Sequence, residues 1–190
     1  MLTHKGTQTI KTERLILRRF AIDDAQMMYD NWAKDKRVTK YMTWEPHASV
    51  EFTAEKLSEW VSSYQNENYY HWGIEFNSKL IGSIGVMEVS DRNSNGCIGY
   101  CIGYDYWGNG IMTEALSAVL KYMFEEVNMH RLAAYHDVEN IGSGKVMEKA
   151  GMIFEGVDRE SMIRIDGSYA DMRCYGILKR EWEEKKRTQK

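Results

Sequence analysis

The run from residue 97 to residue 127 constrains the fold more than any other stretch: CIGYCIGY, then DYWGNG, then a long amphipathic segment. The first part is rich in Ile and Tyr and short, which reads as a strand. The last part, about 111–127, repeats its apolar residues at helical spacing. Between them stand Gly108, Asn109 and Gly110. A strand delivered through glycines into a helix start has the physics of an anion cradle. Glycines let the backbone approach closely at left-handed φ, and the helix start presents unpaired N–H groups and a positive dipole end. The same residues also serve as a plain tight turn, and the glycines alone leave both readings open. No lysine followed by Ser or Thr comes after them, so this is not a P-loop. The spacing is not G-x-G-x-x-G and no βαβ unit surrounds it, which argues against a dinucleotide fold.

Elements follow one another on either side of this segment without repeat, low-complexity tract or linker. Residues 13–20 alternate as a first strand. Asp23 and Asp24 offer an N-cap for a helix to about residue 35. Residues 39–47 form a loop carrying Tyr41, Trp44 and Pro46, and a second helix covers about 49–64. Runs 69–76, 79–89 and 97–104, joined by NSK and SDRNSNG, read as an antiparallel meander. After the long helix come a strand (131–136), a helix (about 141–150) with Gly151 as its C-cap, and strands 153–163 and 169–178. The closing EWEEKKRTQK reads as a charged, fraying tail. The order predicts a single α/β (or α+β) domain over 1–190. Its expected core is one mixed, largely antiparallel sheet of about seven strands with helices on both faces.

The charge balance excludes some partners. With 25 Lys+Arg against 28 Asp+Glu the net charge is −3, so no broad footprint for nucleic acid is expected. No apolar run reaches the length of a signal peptide core or a membrane span. Cys97 and Cys101 fall in one strand about 13 Å apart at roughly 3.3 Å per residue, too far for a disulfide or a shared metal. Cys174 stands alone. Free thiols, no metal and a cytoplasmic location are the expectation.

The run YWGNGIMTEA resembles the acetyl-CoA pyrophosphate loop of GNAT N-acetyltransferases, Arg/Gln-x-x-Gly-x-Gly/Ala. The match puts Trp107, Gly110 and Met112 at its three defining positions; Trp107 and Met112 depart from the general pattern. Tyr-Trp-Gly-x-Gly followed by Thr-Glu-Ala is the form of the ribosomal-protein-alanine acetyltransferase branch. TERLILRRF, IGSIGV, MHRLAAYHDVENIGSGKVMEKAGMIFEG and DGSYADMRCYGILKREW are similar to further segments of that branch, in order, over nearly the whole chain. The resemblance implies acetyl-CoA as cosubstrate. Backbone groups of Tyr100, Cys101 and Ile102 would pair with the pantetheine arm as an added strand would, while Trp107, Gly108, Asn109, Gly110, Ile111, Met112 and Thr113 would hold the pyrophosphate.

Asn140 is well placed as the N-cap of the helix that follows; the resemblance adds a bond from Asn140 to the pantetheine and puts Ser143 near the sulfur. Ser143 would assist the departing thiolate, chiefly by hydrogen bonding because a serine hydroxyl is a weak acid. The flanking Gly142 and Gly144 fit either close approach of a ligand or a distorted helix start. A neutral amine attacks the thioester directly, so the protein must take an ammonium proton, align the partners and stabilise an oxyanion. The branch's glutamates are replaced here by Cys97 and Met162. Glu160, two residues before Met162 and on the same strand face, is the substitute base, with Glu88, His136 and a water relay as alternatives. Tyr41, Trp44, His71 and Trp72 are candidates for the acceptor side, since aromatic faces attract cationic amines. The expected acceptor is a protein N-terminal amine. A small amine (polyamine, amino sugar or antibiotic) is the second reading and a non-catalytic acetyl-CoA-binding protein the third. A monomer or a homodimer is expected.

Overall fold

The computed structural model describes residues 1–188. Eight strands form one sheet in the order β1-β2-β3-β4-β5-β6-β8-β7. They are β1 (Ile10–Lys11), β2 (Leu15–Arg18), β3 (Tyr70–Phe76), β4 (Lys79–Ser90), β5 (Asn95–Ile102), β6 (Arg131–Asp137), β7 (Ile153–Ile163) and β8 (Tyr169–Leu178). Every neighbouring pair is antiparallel except β5 and β6, which run parallel. The sequence predicts about seven strands. The extra one is β1, whose two residues are too few to show alternation and which exists through its hairpin with β2.

Helices cover both faces. On one lie α1 (Ala25–Met28), α2 (Lys36–Thr39) and α3 (Val50–Ser63), with a 3₁₀ turn (Ile22–Asp24) before α1 and a π turn (Tyr29–Ala33) after it. Their apolar side chains, among them Met28, Trp32, Val38 and Leu57, enclose Phe20 and Leu80 in a core of their own. On the other face lie α4 (Ile111–Glu125) and α5 (Ile141–Lys149). The buried side of α4 is Ile111, Met112, Ala115, Leu116, Val119, Leu120, Met123 and Phe124. That stripe recurs at three- and four-residue spacing and packs on Leu17, Trp72, Ile84, Ile98 and Leu132 in the larger core, each such side chain contributing roughly 1.5–3 kcal/mol.

Two stretches differ most from expectation. The first helix, expected as one piece to residue 35, breaks into 3₁₀, α and π turns, and Asp35 caps the separate α2 by accepting from the Arg37 N–H. The π turn pushes Asn31 onto the sheet: its amide donates to the Leu80 carbonyl at 2.6 Å, and its own carbonyl lies 2.5 Å from where a Cβ on Gly103 would stand. The expected tail is instead α6 (Lys179–Thr188), held by Trp182 against Phe124 at 5.6 Å between ring centres; residues 189–190 of that segment lie outside the described residues. No described helix is long and apolar enough to cross a membrane.

Candidate functional site

The one parallel junction of the sheet is also where it opens. β5 and β6 pair only through Asn95–Ile98 and Arg131–Ala134, although β5 continues to Ile102 and β6 to Asp137. Beyond Ile98 each strand keeps its other neighbour, β4 for β5 and β8 for β6, so a cleft separates them. Backbone groups alternate in direction along an antiparallel ladder. Gly103 N–H donates to the Ile81 carbonyl, which turns Cys101 and Gly99 toward β4 in the same phase. The polar groups of Tyr100 and Ile102 therefore face the cleft. Ile102 O is taken by the Trp107 indole N–H at 2.8 Å, leaving Tyr100 N–H, Tyr100 C=O and Ile102 N–H open to a ligand. Cys101 differs from the sequence expectation: its backbone pairs with β4 and its side chain packs on the second core.

At the mouth of this cleft lies the glycine turn. Gly108 and Gly110 have φ of +77° and +73°, a left-handed pair that L side chains rarely adopt. No atom lies within 4 Å of a Cβ built on Gly108. Among the described residues the N–H groups from Gly108 to Thr113 bond to no protein acceptor; the first bonded N–H of the helix is Glu114, to Gly110 O. Successive free N–H groups around left-handed residues at a helix start form a concave nest for an anion. Trp107 braces it from outside: half-exposed, its ring lies 5.0 Å from Tyr104 while its N–H holds Ile102 O. Ile111 and Met112 are buried under the first turn of α4, so they give the nest their N–H groups rather than their side chains.

One residue at the nest has no signal in the sequence. Arg14, just before β2, donates from Nε to Glu114 Oε2 at 2.6 Å and from Nη1 to Asn109 O at 3.1 Å. Its Nη2 lies 3.7 Å from a Cβ built on Gly110. Nearly a hundred residues separate Arg14 from the turn, so only the packing of β2 beside α4 brings them together. These features fit a pyrophosphate: bare donors, a close-approach surface and one guanidinium.

Across the cleft, α5 begins at Asn140. Its side-chain oxygen accepts from Ser143 N–H at 3.3 Å, so it caps the helix. The Ser143 hydroxyl lies 2.9 Å from the Tyr100 hydroxyl, which is also 3.0 Å from the Ser143 carbonyl. Burial holds the Tyr100 phenol well above its ordinary range. Gly144 is accounted for without a ligand: a Cβ there would stand 2.7 Å from His136 Nε2. His136 itself is buried, its Nδ1 donating to Asp137 O at 2.7 Å and its Nε2 unpartnered against the helix. Burial keeps it below the ordinary histidine range.

A cavity of about 450 Å³ opens between α2 and the loop after it, the β6–α5 turn and the β7–β8 hairpin. Tyr41, Glu45, Glu139 and Asp166 line it, with Lys36, Lys40 and Arg164. Arg164 is anchored to the buried Asp137 at 2.6 Å and to Glu139 at 3.2 Å. Of the four aromatic residues expected on the acceptor side, only Tyr41 lines this cavity. Trp72 is wholly buried in the larger core. His71 sits in an aromatic stack with Trp60 and Phe20 on the face of α3, and Trp44 packs on the second core. Glu160 is exposed in a bulge of edge strand β7, at φ 51°, its N–H held by Asp171 Oδ1 at 2.8 Å. No hydrogen bond links it to Ser143. Glu88 occupies a similar bulge in β4 at φ 53° and is exposed.

Comparison with known proteins agrees with this geometry. The acetyltransferase (GNAT) domain family matches residues 14–153. The uncharacterized N-acetyltransferase YoaA of Bacillus subtilis (strain 168) is 31% identical over 172 residues, covering 90% of this chain and 96% of its own. The [ribosomal protein uS5]-alanine N-acetyltransferase of Escherichia coli (strain K12) is 25% identical over 91% of this chain and 92% of its own. The crystal structure of a GNAT-family acetyltransferase from Bacillus anthracis superposes with a TM-score of 0.79 at 27% identity, covering 91% of this chain and 99% of that one. A cleft between parallel strands, a bare N–H nest at its mouth and a family match across both make the conclusion direct: the chain belongs to the GNAT acetyltransferase family and is an acetyl-CoA-dependent N-acetyltransferase.

Proposed function

We propose that this enzyme acetylates the N-terminal α-amine of a protein. The observation that carries the reading is the acceptor cavity. It is built from three surface loops rather than sealed, so a chain end can enter it, and its walls carry Glu45, Glu139 and Asp166 beside Lys36, Lys40 and Arg164, with Lys40 over the Tyr41 ring. The relative that acts on an alanine of uS5 supports the same class of acceptor.

In this reading the nest from Gly108 to Thr113, with Arg14 beside it, holds the pyrophosphate. Tyr100 and Ile102 pair with the pantetheine across the cleft, joined by Asn140 from α5. An N–H of that strand edge polarises the thioester carbonyl. The amine nitrogen then bonds to the acetyl carbon and the C–S bond breaks, its electron pair leaving on sulfur. Ser143 donates a hydrogen bond to that thiolate and keeps its own proton. The ammonium proton passes through water to Glu160, whose bulge lies on the strand leading to the cavity-lining hairpin tip.

Release of CoA thiol from acetyl-CoA, followed with alanine- and serine-starting peptides beside spermidine and an aminoglycoside, tests the acceptor. Peptide turnover exceeding that of both small amines by at least about tenfold in kcat/KM is the expected result. Faster turnover of a small amine replaces the reading with the second one. For the base, Glu160→Gln is expected to lower kcat by about a hundredfold. An unchanged kcat leaves the proton to water alone.

A further inference from the structure

The hydroxyl pair that bridges the cleft has a proton problem whose solution assigns a role to Tyr100. Tyr100 reaches from β5 to α5 and finds two oxygens of one residue, Ser143 O at 3.0 Å and Ser143 Oγ at 2.9 Å. A phenol has one proton to give. The Ser143 carbonyl can only accept. If Tyr100 donates to that carbonyl, the phenol oxygen is left to accept from Ser143 Oγ–H, and the serine proton is spent inside the pair. If Tyr100 donates to Ser143 Oγ, the serine proton is released and can point into the cleft. We propose that Tyr100 is a positioning residue that switches between these two arrangements, turning the Ser143 proton toward the sulfur as negative charge develops there.

The inference rests on the reading of Ser143 given above and adds what that reading lacks, a reason for the hydroxyl to point the right way. A thiolate in the cleft favours the chain phenol O–H to Oγ, then Oγ–H to sulfur, because each donor polarises the next. No proton changes owner: Tyr100 and Ser143 both remain protonated, and the leaving sulfur carries the electron pair of the broken C–S bond. Burial raises the Tyr100 phenol, in keeping with a group that donates throughout. Its ring packs at the border of the larger core, so removing only the oxygen leaves the packing in place. His136, on the opposite wall, is no rival donor: it uses Nδ1–H on Asp137 O, and its Nε2 faces Gly144.

CoA itself is the probe, since it needs no acceptor. The thiol of bound CoA is titrated by the ultraviolet absorbance of its thiolate in the intact enzyme, in Tyr100→Phe, in Ser143→Ala and in the double variant. Ser143→Ala is expected to raise the bound thiol pKa by about one pH unit, the size of one hydrogen bond to a charged group. Tyr100→Phe should raise it by at least half as much, with CoA affinity within about twofold of the parent. The double variant should go no higher than Ser143→Ala, because Tyr100 acts only through Ser143. In turnover, Tyr100→Phe should lower kcat by about three- to tenfold at unchanged KM for acetyl-CoA. No change in Ser143→Ala overturns the role of Ser143 and this inference with it. A shift in Ser143→Ala but none in Tyr100→Phe leaves Ser143 in place and overturns Tyr100 alone. Additive shifts also overturn it, since they show Tyr100 acting on the sulfur by another route.

Discussion

Gly110 meets two demands at one residue. Its φ of +73° lies where a β-branched side chain is strained, and a Cβ there would point toward Arg14 Nη2 at 3.7 Å. Gly110→Val is therefore expected to weaken acetyl-CoA binding at least about tenfold, about 1.4 kcal/mol, measured by calorimetry on the folded variant. Arg14 allows a finer test, because a guanidinium that only pairs with Glu114 and one that also meets a phosphate respond differently. If Arg14 contributes charge to the nest, Arg14→Gln should weaken CoA about tenfold and leave pantetheine, which lacks phosphates, unaffected. Glu114→Gln, which frees the guanidinium, should leave CoA binding unchanged or tighter. Equal losses in both variants would mean that the pair merely shapes the turn. The glycines of the nest were readable in the sequence because a strand–glycine–helix junction has a local signature. Arg14 was not, since its place depends on a contact made 100 residues away. Gly144 was legible only as an anomaly; its cause, the ring of His136, sits on strand β6.

At the scale of elements, the β7–β8 hairpin is tied to the end of β6 by a single buried carboxylate. Asp137 is fully covered, and Arg164 bonds both of its oxygens, at 2.6 and 3.0 Å. Burial alone would push the Asp137 carboxyl up; the Arg164 hydrogen bonds, the Glu139 N–H and the guanidinium charge together outweigh it and hold the carboxyl below the ordinary aspartate range. Removing the guanidinium leaves a covered charge with only the Glu139 N–H to answer it, whereas removing both charges does not. Arg164→Met is thus expected to lower Tm by about 5 °C or more, and Asp137→Asn in that background should restore part of the loss. Because the hairpin tip lines the cavity proposed for the acceptor, KM for the amine should rise in Arg164→Met while acetyl-CoA affinity holds. Strands β7 and β8 were legible to the residue, since Gly151 before them and the Asp166-Gly167 turn between them mark their ends. The π turn after α1 was not. Its wide spacing is set by Asn31 reaching Leu80 O, a tertiary contact with no local pattern.

For the molecule as a whole, two cores on opposite faces of one sheet decide where titratable groups become buried. Alternation in β3 sends Trp72 into the larger core and leaves His71 on the face of α3, where it lies 4.4 Å from Trp60 and 5.2 Å from Phe20 between ring centres and bonds Tyr69 through Nδ1. Burial lowers its pKa to about 4, from an ordinary 6.5. The unfolded chain therefore takes up a proton at His71 in a window where the folded chain does not. Stability from this residue is complete above about pH 6.5 and is lost as pH falls toward 4; below that both states are protonated and the loss stops. Between pH 8 and pH 5 it amounts to about 2 kcal/mol. His47 and His136 are also held below the ordinary range by burial and add to the same slope. His71→Phe keeps a ring in the stack but has no proton to gain. Urea unfolding at pH 8 and pH 5 should show the parent losing about 2 kcal/mol more than His71→Phe over that interval. An equal loss in both proteins would mean that His71 is hydrated in the folded state and that the acid sensitivity of this sheet face lies elsewhere.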